Sequence, residues 1–274
     1  MNKIITTIAM LVILVPGQIF AQYTEEEDRE PYNIKPAIDI PITLLGTGAT
    51  IYGFYKISEK SGSDSTTIVN LSYDADVSRI NQDFTSPRYS EQANKDSDIL
   101  FYGSMALPLT LLFDKQIRHD ALEVGLLYWE TMAITGSMYT LTAANVDKYR
   151  PLVYSSEAPL EEKMRDQSKN SFFGGHPAVV ASSSFFVAKV VADYYPERKG
   201  LKAVLYTSAG ALTVTTGYLR YRAGKHFMTD IAIGSLLGTL NGILIPELHK
   251  KKDNKLDLSF FSGDAHGVAL RLKI

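Results

Sequence analysis

Residues 219–245 read LRYRAGKHFMTDIAIGSLLGTLNGILI. The stretch opens polar and basic around one histidine, then turns almost wholly apolar from Ile231 to Ile245. The apolar part is too long for an ordinary strand and shows no period-2 alternation, so its pattern predicts a helix. Ahead of it, His226 and Asp230 stand four positions apart, which on a helix puts them on one face. A carboxylate so placed accepts the imidazole N–H, fixes the tautomer and raises the basicity of the other ring nitrogen. That nitrogen is then free to attack as a nucleophile. Arg220 precedes His226 by six positions, across a turn expected at Gly224. Its planar guanidinium matches phosphate oxygens in pairs.

Working outward, residues 99–113, 121–146, 178–195 and 203–219 share the apolar, non-alternating character and also predict helices. Their charge-free cores run about 15 to 17 residues, whereas a bilayer crossing takes about 20, so length alone allows both a membrane span and a buried bundle helix. Residues 36–57 are apolar but interrupted by Asp39, Pro41, Gly46, Gly48 and Gly53, which predicts a weak helix or an interfacial segment. Residues 58–98 are rich in Ser, Asp and Asn and predict a long surface loop with a short helix. The last stretch, LDLSFFSGDAHGVALRLKI, alternates around SGDAHG and predicts a terminal β-hairpin with His266 in its turn.

The N-terminus, MNKIITTIAMLVILVPGQIFAQ, has a basic start, an apolar middle and Ala21 at a plausible cleavage site, the pattern of a secretory signal peptide over residues 1–21. A polar tether with the acidic run EEEDRE follows. The 274-residue chain carries a net charge of −2, which gives no reason to expect a nucleic-acid partner. Cysteine is absent, which removes disulfides, thiolate metal sites and a cysteine nucleophile. A mean hydropathy of −0.04 fits apolar helices joined by sizeable polar segments.

Basic residues gather at residues 114–118, 196–202 and 249–255. If the helices cross a membrane in turn, these three connections share a side, and the positive-inside rule makes it cytoplasmic. The loops near residues 148–176 and 220–227 then face out. A cleaved signal peptide also leaves the new N-terminus outside, which agrees only if residues 36–57 do not span.

Two of those outer loops hold further candidates. In DKYRP (residues 147–151), Arg150 precedes Pro151. In SFFGGHPAVV (residues 171–180), Gly174 and Gly175 allow close backbone approach at a helix start, whose N–H groups favour an anion. His176 stands beside them as a proton donor to a leaving oxygen. Two arginines, a helix N-terminus, a His–Asp pair and a second histidine suit phosphoryl transfer, where positioning and charge stabilisation dominate.

Order and spacing together resemble the three-part signature of the type-2 phosphatidic acid phosphatase and vanadium haloperoxidase superfamily: Lys-x6-Arg-Pro, Pro-Ser-Gly-His and Ser-Arg-x5-His-x3-Asp. Arg150-Pro151 matches the first part, Gly175-His176 the second, and Arg220, His226 and Asp230 the third. The resemblance implies an all-α multi-helix bundle, membrane-embedded, with the site at one end. By that resemblance His226 is the nucleophile, Asp230 orients it, and His176 protonates the leaving oxygen. Arg150, Arg220 and the backbone at Gly174 and Gly175 hold the phosphate. No metal or other cofactor is implied, and vanadate is expected to mimic the transition state.

Three positions depart from the signature. The lysine falls at Ala143, the Pro-Ser pair becomes Phe173-Gly174, and the last serine becomes Leu219. On a continuing helix, positions 143 and 150 would share a face and Lys148 would point elsewhere. Lys169 or Lys225 is left to compensate. Each lost contact is expected to weaken phosphate binding by about 1.5 to 3 kcal/mol if nothing replaces it.

The expected organisation is a signal peptide (1–21), a tether with a weak apolar segment and loop (22–96), a phosphatase bundle (97–247), and a basic linker with the hairpin (248–274). The leading functional expectation is a phosphatase of lipid-linked phosphates at the outer face of a bacterial inner membrane. The alternatives are a soluble periplasmic nonspecific acid phosphatase and a catalytically degenerate member that binds phospholipid or serves structurally.

Overall fold

The computed structural model describes residues 30–251, 256–262 and 266–272. The expected signal peptide lies outside these residues. Eleven α-helices occupy the described part: α1 (Pro36–Ser58), α2 (Ser65–Asn70), α3 (Tyr73–Asp76), α4 (Arg79–Phe84), α5 (Glu91–Ala106), α6 (Lys115–His119), α7 (Ala121–Asn145), α8 (Leu160–Met164), α9 (Gly175–Tyr194), α10 (Lys199–Arg222) and α11 (Met228–His249). The chain is therefore an all-α bundle. After it, β1 (Leu256–Ser262) and β2 (His266–Leu272) pair antiparallel, with Ser262 opposite His266, so His266 begins a strand rather than occupying the turn.

Helix α9 is the central rod, with nearly every side chain from Gly175 to Tyr194 buried. Helix α11 lies against it along Gly234, Gly238 and Gly242, spaced four apart on one face. A Cβ at Gly238 would stand 2.0 Å from the Ala178 carbonyl oxygen, and one at Gly242 2.5 Å from that of Ser182. Only glycine lets the two backbones approach so closely, and this approach sets where both N-termini end up.

The stretch expected to be a weak or interfacial helix is instead one continuous helix of 23 residues, α1, packed along α7. Gly46 and Gly53 are contact points rather than breaks, while Gly48 faces open space. A Cβ at Gly53 would fall 2.3 Å from Thr140 Oγ1, and one at Gly46 3.1 Å from Ala133 Cβ. Composition along the chain suggests interruption, but packing against a neighbour gives these small residues a different meaning.

Beside an apolar core that includes Leu111, Leu127 and Phe186, small polar side chains lie between α7, α9 and α11, while α1 and α11 point large apolar ones out. Thr135 Oγ1 meets Ser182 Oγ at 2.9 Å and accepts a 3.0 Å bond from Asn241 Nδ2. On the outer face of α11, Leu236, Leu240, Leu244 and Leu248 are exposed, as are Leu44, Leu45, Ile51 and Phe54 on α1. This inversion is the pattern of helices that associate in an apolar solvent. Among the described residues three helices are long and apolar enough to cross a membrane: α1, α9 and α11.

The bundle has two distinct ends. At one, the start of α1, the ends of α9 and α11 and the start of α6 come together. Asn33 N donates to the His249 carbonyl (2.8 Å), Lys250 Nζ to Asp193 (2.7 Å) and Tyr195 Oη to Asp114 (2.6 Å). The three basic connections thus lie at this end. At the other end stand the starts of α9 and α11, the ends of α1, α7 and α10, and the first half of α5.

Candidate active site

That second end holds a cavity of about 840 Å³, lined by Arg150, His176, Arg220, Lys225 and His226 among others. Residues up to 126 positions apart meet there, as in the contact between Asn94 and Arg220.

Arg220 sits in the last turn of α10, where a cation complements the helix dipole. The chain then reverses at Gly224, whose φ is +67°. A Cβ there would also lie 1.9 Å from the Arg88 carbonyl oxygen, so the turn admits glycine only. The reversal carries Lys225 and His226 back over the end of α10 and into the cavity wall.

His226 and Asp230 do not share a helix. Helix α11 begins at Met228, with Phe227 as its N-cap. Asp230 is the third helical residue, and its Oδ2 accepts from Phe227 N (3.2 Å). The same oxygen accepts from Ser171 Oγ (2.7 Å), while Oδ1 pairs with Lys148 Nζ (2.5 Å). His226 Nδ1 instead lies 2.7 Å from the Ser171 carbonyl oxygen. The expected direct contact is thus replaced by a relay, in which Asp230 holds Ser171 and Ser171 holds His226. A carbonyl only accepts, so Nδ1 carries the proton and Nε2 keeps its lone pair. Burial, then Arg220 and Arg150, hold His226 well below the ordinary histidine value, which keeps the ring neutral.

Arg150 stands outside any helix, because α7 ends at Asn145. Positions 143 and 150 therefore share no helical face. Arg150 lies in extended chain, its N–H donating to the Ser168 carbonyl (2.8 Å) and its Nε and Nη2 each 3.4 Å from the Asn170 carbonyl. Burial pushes its pKa below the ordinary arginine value. Buried Ala143 supplies no cation, but its carbonyl accepts from Lys60 Nζ (2.6 Å), which also bonds Asn170 Oδ1 (3.0 Å). Lys60 therefore steadies the strand that holds Arg150.

His176 opens the cavity on the other side. Its Nε2 lies 2.8 Å from Asp98 Oδ1, and its ring stacks on Phe101 with centroids 4.4 Å apart. Asp98 Oδ1 is also 3.8 Å from Arg220 Nη1, which donates to Asn94 Oδ1 (2.8 Å) and Ser97 Oγ (3.2 Å). The His176 hydrogen bond is the main cause that lowers the Asp98 pKa, so Asp98 stays ionised. Buried Arg220 Nε has no hydrogen-bond partner, which leaves a donor for an anion.

Among the candidate phosphate holders, Gly174 falls away. Its N–H donates to the Asp230 carbonyl (2.9 Å), which occupies the donor. Gly175 starts α9 and borders an adjoining groove rather than the cavity. Lys225 joins Arg150 and Arg220 in the cavity wall. Burial first, then Arg150 and Arg220, push its pKa down to about 8, while Glu162 opposes the shift.

A model of the PAP2 superfamily matches residues 124–254. That match covers slightly less than half of the chain and makes residues 124–254 similar to the PAP2 superfamily. The matched PAP2 segment contains all the signature residues but not Asn94, Ser97 or Asp98, which lie before it. A similar solved structure is the transmembrane PAP2-type phosphatidylglycerolphosphate phosphatase from Bacillus subtilis, 18% identical over 88% of this chain and 93% of that one, with a TM-score of 0.36. No curated protein matches the chain. The PAP2 similarity supports a phosphoric ester hydrolase at the coarse level.

Sequence reading alone missed Asp98, Asn94, Ser97, Ser171 and Lys60. The available signal for the first three was the N-cap residue Ser90, which accepts from Ala93 N (3.2 Å) and starts α5 at Glu91. The bundle boundary expected at residue 97 falls inside this helix.

Proposed function

We propose that the protein hydrolyses a lipid-linked phosphomonoester or pyrophosphate through a phosphohistidine at His226. The observation that carries the lipid assignment is a groove of about 410 Å³ that shares Phe54, Tyr139 and His176 with the polar cavity. Elsewhere it is lined by apolar side chains, among them Phe101, Met105, Trp129, Met132 and Val179. The groove thus adjoins the proposed acid, where a leaving group departs. An apolar leaving group fits it, with the phosphate on the cationic side.

The chemistry follows from the hydrogen bonds. His226 Nε2 attacks phosphorus, a P–N bond forms and the P–O bond to the lipid breaks. His176, as an imidazolium paired with Asp98, gives a proton to the departing oxygen. The His226 Nδ1–H bond to the Ser171 carbonyl supports the charge that develops on the ring. Arg150, Arg220 and Lys225 hold the equatorial oxygens. Water then attacks the phosphohistidine and gives a proton to His176, and phosphate leaves with His226 restored.

The apolar outer faces of α1 and α11 support a place within a bacterial membrane. Basic short connections decide orientation in such bundles. They lie at the end opposite the cavity, which supports a site that opens away from the cytoplasm. Because α1 starts at that basic end, its sidedness opposes the one expected from a cleaved signal peptide, and the basic connections are taken as decisive. A second reading, a phosphate-binding member with little turnover, draws on Ala143 and on the occupied N–H of Gly174.

The test is phosphate release by detergent-purified protein from a panel of phosphatidic acid, phosphatidylglycerol phosphate, undecaprenyl pyrophosphate, lipid A and a small aromatic phosphate. Release from a lipid, abolished in His226→Ala, is expected. Equal release by the variant overturns the nucleophile assignment, and release from the aromatic phosphate alone favours a soluble-type acid phosphatase. Binding without release favours the second reading.

A further inference from the structure

At the end of the bundle opposite the cavity, three helices bring ionisable side chains to one point. Asp39 comes from the first turn of α1, Glu130 from α7, and His249 is the last residue of α11. One ligand atom from each lies within 4.8 Å of the others. Asp39 and Glu130 are each only 4% exposed.

The hydrogen bonds fix which atoms converge. His249 Nδ1 is 2.8 Å from the Ile245 carbonyl oxygen, so it carries the ring proton and leaves Nε2 facing the carboxylates. A ligating histidine is ordinarily held in this way. One Asp39 oxygen, Oδ2, accepts from the backbone N–H of Lys35 (2.6 Å), which aims the other inward. Glu130 Oε2 is buried and has no hydrogen-bond partner. At that depth a carboxylate that stays ionised needs a positive partner.

The spacing from His249 suits a shared metal ion. Nε2 lies 3.3 Å from Asp39 Oδ1 and 3.6 Å from Glu130 Oε2. Ordinary N–H···O bonds run about 2.7 to 3.2 Å, shorter than either. Ligands about 2.0 to 2.1 Å from a tetrahedral zinc ion stand roughly 3.3 Å apart, close to both separations.

We propose that Asp39, Glu130 and His249 form a binding site for one divalent transition-metal ion, zinc by their donor set, with water in the fourth position. One imidazole nitrogen and two carboxylates suit zinc, whereas magnesium and calcium take six or more oxygens. The His249 side chain is 13% exposed and provides the entry. The ion braces α1, α7 and α11; the opposite ends of α1 and α7 carry Ile57 and Tyr139 in the cavity wall, and α11 starts just after His226 of that wall. Its role is structural and does not depend on the phosphatase reading.

The test needs no activity measurement. Full-length protein in detergent is stripped with chelator, desalted and titrated with zinc against a chromophoric chelator. One equivalent per chain is expected, with at least tenfold weaker binding in Glu130→Gln and His249→Gln, and unchanged binding in His176→Gln. Zinc raises the unfolding midpoint of the unmutated protein by about 3 °C or more, and magnesium does not. If the unmutated chain takes up no zinc, the proposal fails whatever the variants do. It fails equally if binding survives in Glu130→Gln and His249→Gln, or disappears in His176→Gln.

Discussion

His176 Nε2 lies 2.8 Å from Asp98 Oδ1, across 78 positions of sequence. The contact joins the proposed acid to a residue outside the PAP2 segment. Asp98 also lies 3.8 Å from Arg220 Nη1, so one carboxylate positions both the acid and a phosphate-holding cation. Replacing Asp98 by Asn keeps the shape and removes the charge. We expect kcat to fall by about 10- to 100-fold, in line with a general-acid contribution of 10²–10⁴, and KM to rise less. Part of the kcat loss should return at lower pH, where the imidazolium is easier to fill. An unchanged kcat and pH profile would remove Asp98 from the mechanism.

Lys225 is expected to supply a pH-dependent part of phosphate binding. Its pKa of about 8 means that the ammonium is present below that pH and lost above it. A phosphomonoester is already dianionic there, since its second pKa is about 6. KM should therefore rise as pH passes upward through about 8, and the Lys225→Gln protein should show a higher KM without that rise. Steady-state kinetics between pH 6.5 and 9.5 checks both.

The absent signature serine has a steric cause that stability measurements can test. A Cβ at Gly174 would stand 3.0 Å from Pro177 Cγ, 3.1 Å from the Asp230 carbonyl oxygen and 3.3 Å from Ile231 Cα. The close approach of α11 leaves little space for a side chain. Gly174→Ser is expected to lose about 1 to 3 kcal/mol by overpacking rather than gain phosphate affinity. Thermal unfolding and phosphate competition on the same protein preparation decide which happens. Tighter phosphate binding at unchanged stability would reverse this reading.

Sidedness is open to direct labelling because the chain contains no cysteine. Single cysteines at Glu161, which lines the cavity, and at Gly200, in the basic connection, mark the two ends. In intact cells with a permeable outer layer, an impermeant maleimide should label Glu161→Cys and spare Gly200→Cys. The opposite pattern would invert the proposed orientation.

Sequence by itself determined the elements that depend on near neighbours. The long apolar runs specify helices, because their length and their lack of alternation are local properties. It also identified Arg150, His176, Arg220 and His226 as residues of one site, since their order and spacing resemble a family signature, and all four line one cavity. Tertiary structure alone decided how these groups are held. Ser171 rather than Asp230 meets the His226 ring, because α11 begins two residues after His226. Asp98 reaches His176, and Lys60 reaches Ala143 and Asn170, through packing across 78 to 110 positions that no local spacing encodes. The same holds for Gly46 and Gly53 of α1, which interrupt an apolar run in composition yet in space are where α7 comes close.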